Sequence, residues 1–410
     1  MRDRSIAPDS LVDLVAHPGW VARTSLRRGA DRNCRPATIE AIPSPGEQIG
    51  CGRPRGSALY KGIEGARGWL AWTVVGAHLV ALTPLVYLPF LPVLLSMATW
   101  AVEVFIVISG FVITHIVIEK REPYKAYLAR RALRIFPAYL VALAIGVAVV
   151  GTYAELIRSF PMEPPHALHR GLAALHADRP PHQLFLDLML LQGLTVQTQF
   201  GYLPTAWSLS LEWQYYLVAP LFVAATRRRP VPSCIAVLAA LAAFEAGLFG
   251  SFARPTILFG AGWLFLIGTL SRVWFDKLPA FGNYPVPLIV VAVPLLFASL
   301  DLAPVFVWIA LIAYVRSDAS WGVLDGRLAR YMGARSYAIY ILHYPIVLLV
   351  AWLSWEVMGL PTRQALLATC LGTGLAVLAG AELVHRWVEL PAIRIGKRLG
   401  REPAPATQGW

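Results

Sequence analysis

Long apolar runs without charge alternate with short basic or proline-containing segments along most of this 410-residue chain. Three of the longest runs are 79–101, 138–154 and 285–300. A helix on the surface of a soluble protein is apolar on one face only. A helix that crosses a bilayer needs about 20 predominantly apolar residues, and it pairs its backbone polar groups internally. The pattern therefore predicts an all-α fold, a polytopic bundle of transmembrane helices.

The composition is that of a membrane protein, and this changes the meaning of the positive charge. Hydrophobic residues make up 57% of the chain and charged residues 15%, with a mean hydropathy of +0.57. Soluble domains are closer to half apolar and a quarter charged. A net charge of +12 would suggest nucleic-acid binding in a soluble protein. Here Lys and Arg lie at the ends of apolar runs, where they mark cytoplasmic loops. We therefore expect the lipid bilayer, and no nucleic acid, as a partner.

The distribution of Lys and Arg orients the predicted spans. Basic residues are expected on the cytoplasmic side, which gives about ten spans with both termini in the cytoplasm of a bacterial-type inner (plasma) membrane. The proline-containing stretch 155–181 is expected to be an external loop. The segment 184–200 is apolar but short. If it crossed the membrane, the arginines at 227–229 would lie outside, so a re-entrant or interfacial segment is favoured. The spans are expected near 68–90, 94–118, 137–154, 208–226, 231–251, 255–272, 285–300, 303–316, 335–354 and 364–388.

The segments at the two ends of the chain differ from the rest. Residues 1–64 are rich in Arg, Pro, Gly and Ser, have no signal-peptide core, and are expected to form a disordered basic cytoplasmic tail. The transmembrane domain is expected over 65–395, followed by a short cytoplasmic tail, 396–410. The four cysteines form no CxxC pair and no metal-ligand spacing, so the sequence predicts no metal site.

Titratable residues inside apolar spans are costly, so each is a functional candidate. His78 lies about 15 Å into the first predicted span, near the bilayer centre. Arg67 precedes it by eleven positions, close to a whole number of helical turns, so both project from nearly the same face. Arg67 would then lie at the cytoplasmic mouth. Glu103 is early in the second span and needs a partner, and a neighbouring imidazole would serve. The alternative is a histidine that only hydrogen-bonds between helices.

A basic cluster follows the second predicted span. Arg131 and Arg134 are three residues apart, on one face of a helix start, and Arg130 adjoins them. Guanidinium groups bind phosphate well. The cluster therefore indicates a phosphate site on the cytoplasmic side, although arginines that only set the topology are the alternative.

Polar residues also gather near two further spans. Ser208 and Glu212 are one helical turn apart. Ser336, Tyr340 and His343 follow at helical spacing on one face of a later span. These clusters indicate a wet cavity on the outer side, unless they only join helices together. The residues predicted to line this acceptor-side cavity are Trp207, Ser208, Glu212, Tyr215, Tyr340 and His343.

Taken in order, these motifs resemble those of the acyltransferase-3 family of integral membrane acyltransferases. The matching segments are 67–78, 104–114, 127–137, 206–217 and 333–345, and the resemblance covers about 62–400. Two positions depart from the family pattern. Glu103 stands where the family often has Asp, which keeps the charge. Trp213 stands where a second carboxylate is common, which puts in doubt any role that needs two carboxylates there.

The resemblance implies transfer of an acyl group, often acetyl, from acyl-CoA to a hydroxyl of a sugar, cell-surface glycan, glycolipid or glycosylated metabolite. It implies acyl-CoA as co-substrate and no bound cofactor. We expect Arg67, Arg131 and Arg134 to bind the phosphates of acyl-CoA. His78 is expected to act as general base, oriented by Glu103, and an acyl-histidine intermediate stays open. The main alternative is a transporter or flippase, because intramembrane His and Glu also serve proton relays, and a sensor or scaffold is a third.

Overall fold

The computed structural model describes residues 55–87, 91–120, 122–149, 151–152, 179–278, 302–317 and 320–399. Within these residues the secondary structure consists of helices and turns, without a β-strand. This agrees with the predicted all-α fold. The helices are α1 (Arg55–Ala81), α2 (Leu91–Lys120), α3 (Tyr124–Val149), α4 (Gln183–Leu188), α5 (Trp207–Arg228), α6 (Pro230–Glu245), α7 (Leu258–Trp274), α8 (Ala303–Arg316), α9 (Gly322–Asp325), α10 (Arg327–Ala334), α11 (Ser336–Trp352), α12 (Thr362–Val384) and α13 (Leu390–Leu399).

Five of the described helical stretches are long and apolar enough to cross a membrane. They correspond to α2, α3, α7, α11 and a continuous stretch from α12 to α13. Two shorter apolar helices, α6 and α8, coincide with further predicted spans. The predicted span 285–300 and most of the predicted external loop lie outside the described residues. The count of ten spans therefore stays a prediction.

Helices α1 and α3 both begin earlier than the spans predicted for them. Helix α1 begins at Arg55 and ends at Ala81, so helical structure starts before the predicted domain border at 65. Helix α3 begins at Tyr124 and continues through Pro137, the residue at which the span was expected to begin. Both extensions contain charged residues that lower their hydropathy. Among them, Glu64 is buried, and Arg67, Arg131 and Arg134 line an internal cavity, so the helices need not be apolar at these positions.

Three glycines explain how residues 62–68 of α1 approach other helices closely. Gly62, Gly65 and Gly68 recur every third residue, and they face α8, α9 and α10 respectively. A Cβ at Gly65 would collide with the carbonyl oxygen of Leu324. Small residues at this spacing permit close helix packing, as in membrane helix pairs generally. Residues 62–68 of α1 are thereby packed closely against other helices.

Helix α2 is the central element of the bundle. It packs against α1, α5, α7 and α8. Its closest partner is α7, and Gly110 of α2 and Gly268 of α7 each face the backbone of the other helix. Phe111 lies in the same region and packs edge-on against Trp308 of α8 at 5.5 Å between ring centroids. The core is thus built around one apolar helix.

The segment that was ambiguous in the sequence does not cross the membrane as a helix. Helix α4 has six residues, which rise about 9 Å, whereas a span needs about 30 Å. The segment after it is held by buried polar contacts. Asp187 accepts hydrogen bonds from the side chain of Gln183 at 2.9 Å and the backbone N–H of Tyr202 at 2.8 Å. Burial raises the pKa of the Asp187 carboxyl to about 6, against the effect of these two donors. The preference for a non-spanning segment is confirmed.

Candidate active site

A basic cavity opens at the end of the bundle where α2 ends and α3 begins. The cationic residues that line it are Arg67, Lys120, Arg130, Arg131, Arg134 and Lys397. They come from α1, α2, α3 and α13, so residues that are far apart in the sequence meet here. Glu122 pairs with Arg130 and lies 3.8 Å from Lys120. The three residues that the sequence assigned to phosphate binding, Arg67, Arg131 and Arg134, therefore line one cavity.

The two arginines of the predicted pair have different surroundings. Arg134 forms an ion pair of 2.9 Å with Glu389, which is fully buried. Glu389 also contacts Nδ1 of His385 at 3.0 Å. Arg131 shows no ion pair with a described residue, and its Nε is buried without a hydrogen-bond partner. The sequence analysis did not identify Glu389 as a site residue. The only indication in the sequence is that this carboxylate directly follows the last predicted span.

Arg67 lies deeper than the sequence suggested. Because α1 begins at Arg55, Arg67 is in the middle of the helix rather than at its mouth. Its Nε is buried without a hydrogen-bond partner, and its guanidinium carbon lies 5.9 Å from the ring centroid of Phe105. Arg67 also lines a second, smaller cavity. It therefore stands at the junction of the two.

The second cavity shares one wall with the basic cavity. Arg67, Ser109, Glu212 and Tyr337 line both. One carboxylate oxygen of Glu212 accepts hydrogen bonds from Ser109 and from the phenol of Tyr216, both at 2.6 Å. These polar groups form a passage that leads from the basic end into the bundle.

Tyr340 forms the far wall of the second cavity. Its hydroxyl lies 2.7 Å from that of Ser208 and donates to the backbone oxygen of Thr205 at 3.0 Å. Its ring centroid is 5.8 Å from that of His343, the next polar residue on the same face of α11. Ser208, Glu212 and Tyr340, three of the predicted acceptor-side residues, line this cavity. His343 follows next to Tyr340 but lines neither cavity. We call this series of side chains the polar path.

His78 is the next side chain after His343 in this path, and it too lines neither of the two cavities. It is on the last turn of α1, three residues before the helix ends, and not in its middle as the sequence suggested. Nε2 of His343 lies 3.3 Å from Nδ1 of His78. Tyr344 packs edge-on against the His78 ring at a centroid distance of 5.5 Å. The structure therefore brings two histidines together that are 265 positions apart in the chain.

The other predicted site residues have separate positions. Tyr215 stacks on Phe265 of α7, with ring centroids 4.0 Å apart, and lines neither of the two cavities. Trp207 is half-buried against the core at the start of α5. Glu103 is half-buried on α2, one turn after Thr99, which accepts a hydrogen bond from Arg254 at 3.4 Å. The predicted orientation of His78 by Glu103 stays a prediction.

This arrangement joins two kinds of chemistry by one path. The basic end suits an anion with several phosphates, and the far end holds two imidazole rings, a side-chain type that serves as acid or base in catalysis. In the described parts of the chain, no three His, Cys, Asp or Glu side chains are grouped so as to hold a metal ion.

Comparison with known proteins relates this chain to an acyltransferase family. The sequence profile named acyltransferase-3, described as an acyltransferase domain, matches residues 60–381. The chain is 26% identical over 354 residues to Acyltransferase MdmB of Streptomyces mycarofaciens, covering 76% of this chain and 86% of MdmB. It is 27% identical over 315 residues to the exopolysaccharide production protein ExoZ of Rhizobium meliloti (strain 1021), covering 72% of this chain and 90% of ExoZ. No solved structure shows significant similarity.

The profile match covers most of the chain, including His78, His343 and the lining of the second cavity. Ile393, Gly396 and Lys397, which also line the basic cavity, lie beyond the matched residues. The resemblance seen in the sequence motifs is thereby confirmed. The protein is an enzyme that transfers acyl groups other than amino-acyl groups, and its apolar helices make it a membrane protein. This chain belongs to the acyltransferase-3 family.

Proposed function

We propose that the protein is an O-acyltransferase, in the first instance an O-acetyltransferase, that uses acyl-CoA and modifies a hydroxyl of a glycan or glycosylated metabolite. The observation that carries the proposal is the pair of adjoining cavities. They share Arg67, Ser109 and Glu212 and lead from a basic end to Tyr340, next to the two histidines.

The donor enters at the basic end. Coenzyme A carries several phosphates on one end of a long, narrow arm and the thioester on the other. Arg131 and Lys397 line the opening of the basic cavity, and phosphate is bound well by such cations. The residues from Arg67 to His78 rise about 16 Å along α1. When the phosphates of coenzyme A bind near the opening, its long arm places the thioester close to the far end of the path.

The reaction uses His78 as general base. The acceptor hydroxyl gives its proton to His78 as its oxygen bonds to the acyl carbon. The carbon–sulfur bond breaks, and the departing thiolate of coenzyme A takes up the proton from His78, which returns the base to its neutral form. The thioester supplies the driving force, and a well-placed base contributes about 10²–10⁴-fold in rate.

The acceptor approaches from the end opposite the basic cavity. His78 is near that end of α1, and Arg254 beside Thr99 is exposed there. A cell-surface glycan fits this position, and exopolysaccharide production, as the name of ExoZ states, is a process of that kind. The basic end then faces the cytoplasm, with both termini on that side of a bacterial-type inner membrane.

Transfer from labelled acetyl-CoA to a glycan fraction, in membranes that contain the protein, tests the proposal. His78→Ala is expected to lower the rate by at least about 10²-fold, because the base is lost. His182→Ala is the matched control, since His182 is exposed at the start of α4 and should retain the rate. Full transfer by a normally inserted His78→Ala protein would remove His78 from the mechanism. A glycan translocated without label would favour a transporter.

A further inference from the structure

We propose that His343 is the positioning residue for His78, and that its Nε2 accepts a hydrogen bond from the Nδ1–H group of His78. In the sequence analysis, the role of orienting His78 was given to Glu103. The inference rests on the proposed function, in which His78 is the base. Nearby backbone oxygens determine which ring nitrogen of each histidine carries a proton. The inference follows from these two protonation states.

The protonation of His343 is fixed by its own helix. Its Nδ1 lies 2.6 Å from the backbone oxygen of Tyr340. A carbonyl oxygen can only accept a hydrogen bond, so Nδ1 of His343 carries a proton. His343 is fully buried, and an isolated buried imidazole is held in its neutral form by the cost of burying charge. Its Nε2 is then a bare acceptor.

The protonation of His78 follows in the same way. Its Nδ1 lies 3.0 Å from the backbone oxygen of Val74, one turn earlier on α1. Nδ1 therefore donates, and the same N–H is shared with Nε2 of His343 at 3.3 Å in a three-centre hydrogen bond. In the neutral ring, Nε2 of His78 is consequently the unprotonated nitrogen. This is the atom that takes the proton of the acceptor hydroxyl.

His343 has its greatest effect after that proton has moved. When Nε2 of His78 becomes protonated, the ring carries a positive charge, and its Nδ1–H becomes a stronger donor toward His343. The bare Nε2 of His343 stabilises this cation and keeps the ring pointed at the acceptor. In enzymes that activate a hydroxyl with a general base, a third group commonly orients that base. Here the third group is a neutral imidazole on α11.

The position of His343 is itself held firmly. Its ring contacts Tyr340 on one side and His78 on the other, with centroid distances of 5.8 Å and 5.0 Å. Tyr340 is in turn fixed through Ser208 and the backbone of Thr205. His78 is therefore connected, through His343 and Tyr340, to the wall of the second cavity in which the donor arm lies.

Two variants of different chemistry test the inference by acetyl transfer. His343→Leu fills the site without an acceptor, and His343→Gln offers an amide oxygen to the N–H of His78. We expect His343→Leu to lower kcat by about 10- to 100-fold, as for a lost hydrogen bond to a charged group, with KM for acetyl-CoA unchanged. His343→Gln should retain several-fold more activity than His343→Leu. His182→Gln is the matched control at an exposed histidine.

Nitrogen NMR of the unsubstituted protein, labelled with ¹⁵N-histidine in lipid nanodiscs, is the independent measurement. We expect a protonated Nδ1 and a bare Nε2 on both His78 and His343. A proton on Nε2 of His343 would overturn the inference, as would a wild-type kcat in His343→Leu or equal rates for the Leu and Gln variants. If His78→Ala were inactive while His343→Leu kept full kcat, the proposed function would stand and this inference alone would fall.

Discussion

At the scale of single residues, the pair Arg131 and Arg134 shows that identical side chains on one helix face can have different roles. Both line the basic cavity. The charge of Arg134 is matched by Glu389 inside the bundle, whereas Arg131 shows no ion pair with a described residue. The cation with the unmatched charge is better placed to bind a phosphate. The matched one joins α3 to the helical stretch that runs from α12 to α13.

This difference predicts that one substitution lowers stability and another weakens acetyl-CoA binding. Glu389→Gln leaves Arg134 as an unpaired buried charge and should cost about 3 kcal/mol of stability, measured as thermal unfolding in detergent. Arg131→Gln should leave stability within about 0.5 kcal/mol and raise KM for acetyl-CoA by about tenfold.

The control for Glu389→Gln is Asp276→Asn, because Asp276 pairs with Arg272 but is 82% exposed. Exposed pairs contribute little, so we expect a change below about 1 kcal/mol. Unchanged stability of Glu389→Gln would contradict the structural role of the ion pair, and unchanged acetyl-CoA affinity of Arg131→Gln would leave Arg131 as a topological marker.

At the scale of elements, the bundle is held by close approaches between helix backbones. Lipid chains are as apolar as the helices, so helices in a membrane associate mainly through packing and polar contacts. The α2–α7 pair uses Gly110 and Gly268 for this purpose, and Thr114 donates a hydrogen bond to Thr269 at 3.0 Å beside them. The position of α2, and with it of Ser109 in the passage, depends on this contact.

Gly268→Ala should therefore destabilise the protein by about 1–3 kcal/mol, the usual cost of overpacking. The added Cβ would collide with the backbone of α2 at Val107 and Phe111. The matched control is Gly76→Ala on α1, where a Cβ meets nothing within 4 Å. There Ala should be neutral or stabilise by up to about 1 kcal/mol through helix propensity. Equal thermal midpoints for the two variants would contradict this account of the α2–α7 contact.

At the scale of the whole molecule, helix α2 runs between two chemically different ends of the helix bundle. From Thr99 to Lys120 it rises about 31 Å, which matches the apolar thickness of a bilayer. Lys120 lines the basic cavity at one end, and Thr99 contacts Arg254 at the other. In the proposed function, the donor phosphates bind at the end marked by Lys120 and the acceptor enters at the end marked by Thr99, with the polar path between them.

The proposed orientation predicts which end an impermeant thiol reagent can reach. After replacement of the native cysteines by Ser, a cysteine at Arg254 should be labelled in intact cells. A cysteine at Arg398, also exposed but at the basic end, should be labelled only after permeabilisation. Gel-shift labelling with a maleimide measures both. The reverse pattern would invert the topology and place the donor site outside.

Much of the fold was predictable because hydropathy reports directly on contact with lipid. The bounds expected for the spans 208–226, 303–316 and 335–354 agree closely with the helices α5, α8 and α11, of which α11 is long and apolar enough to cross a membrane. Prediction failed at the start of α1 and α3, where charged residues are enclosed by other helices or line a cavity. A hydropathy pattern cannot distinguish a polar loop from a polar helix that has protein around it.

Many residues of the candidate site could be predicted from the sequence, but most of the contacts between them could not. Spacing on one helix correctly paired Ser208 with Glu212 and Tyr340 with His343, because helical periodicity is local. It could not reveal that Arg134 is paired with Glu389 or that Tyr215 stacks on α7. Such contacts join segments far apart in the chain, and their distances depend on the packing of the whole bundle.

The sequence by itself determined that the protein is an apolar, all-helical membrane acyltransferase with arginines and histidines along its interior, since composition, charge and motif order are properties of the chain. Only the tertiary structure decided that Arg67 lies at the junction of two cavities, that His78 is near the far end of its helix, and that His343 is its neighbour. The physical reason is that depth and contact are set by where helices begin and how closely their backbones approach. Those quantities arise from packing between distant segments and are not encoded in any local pattern.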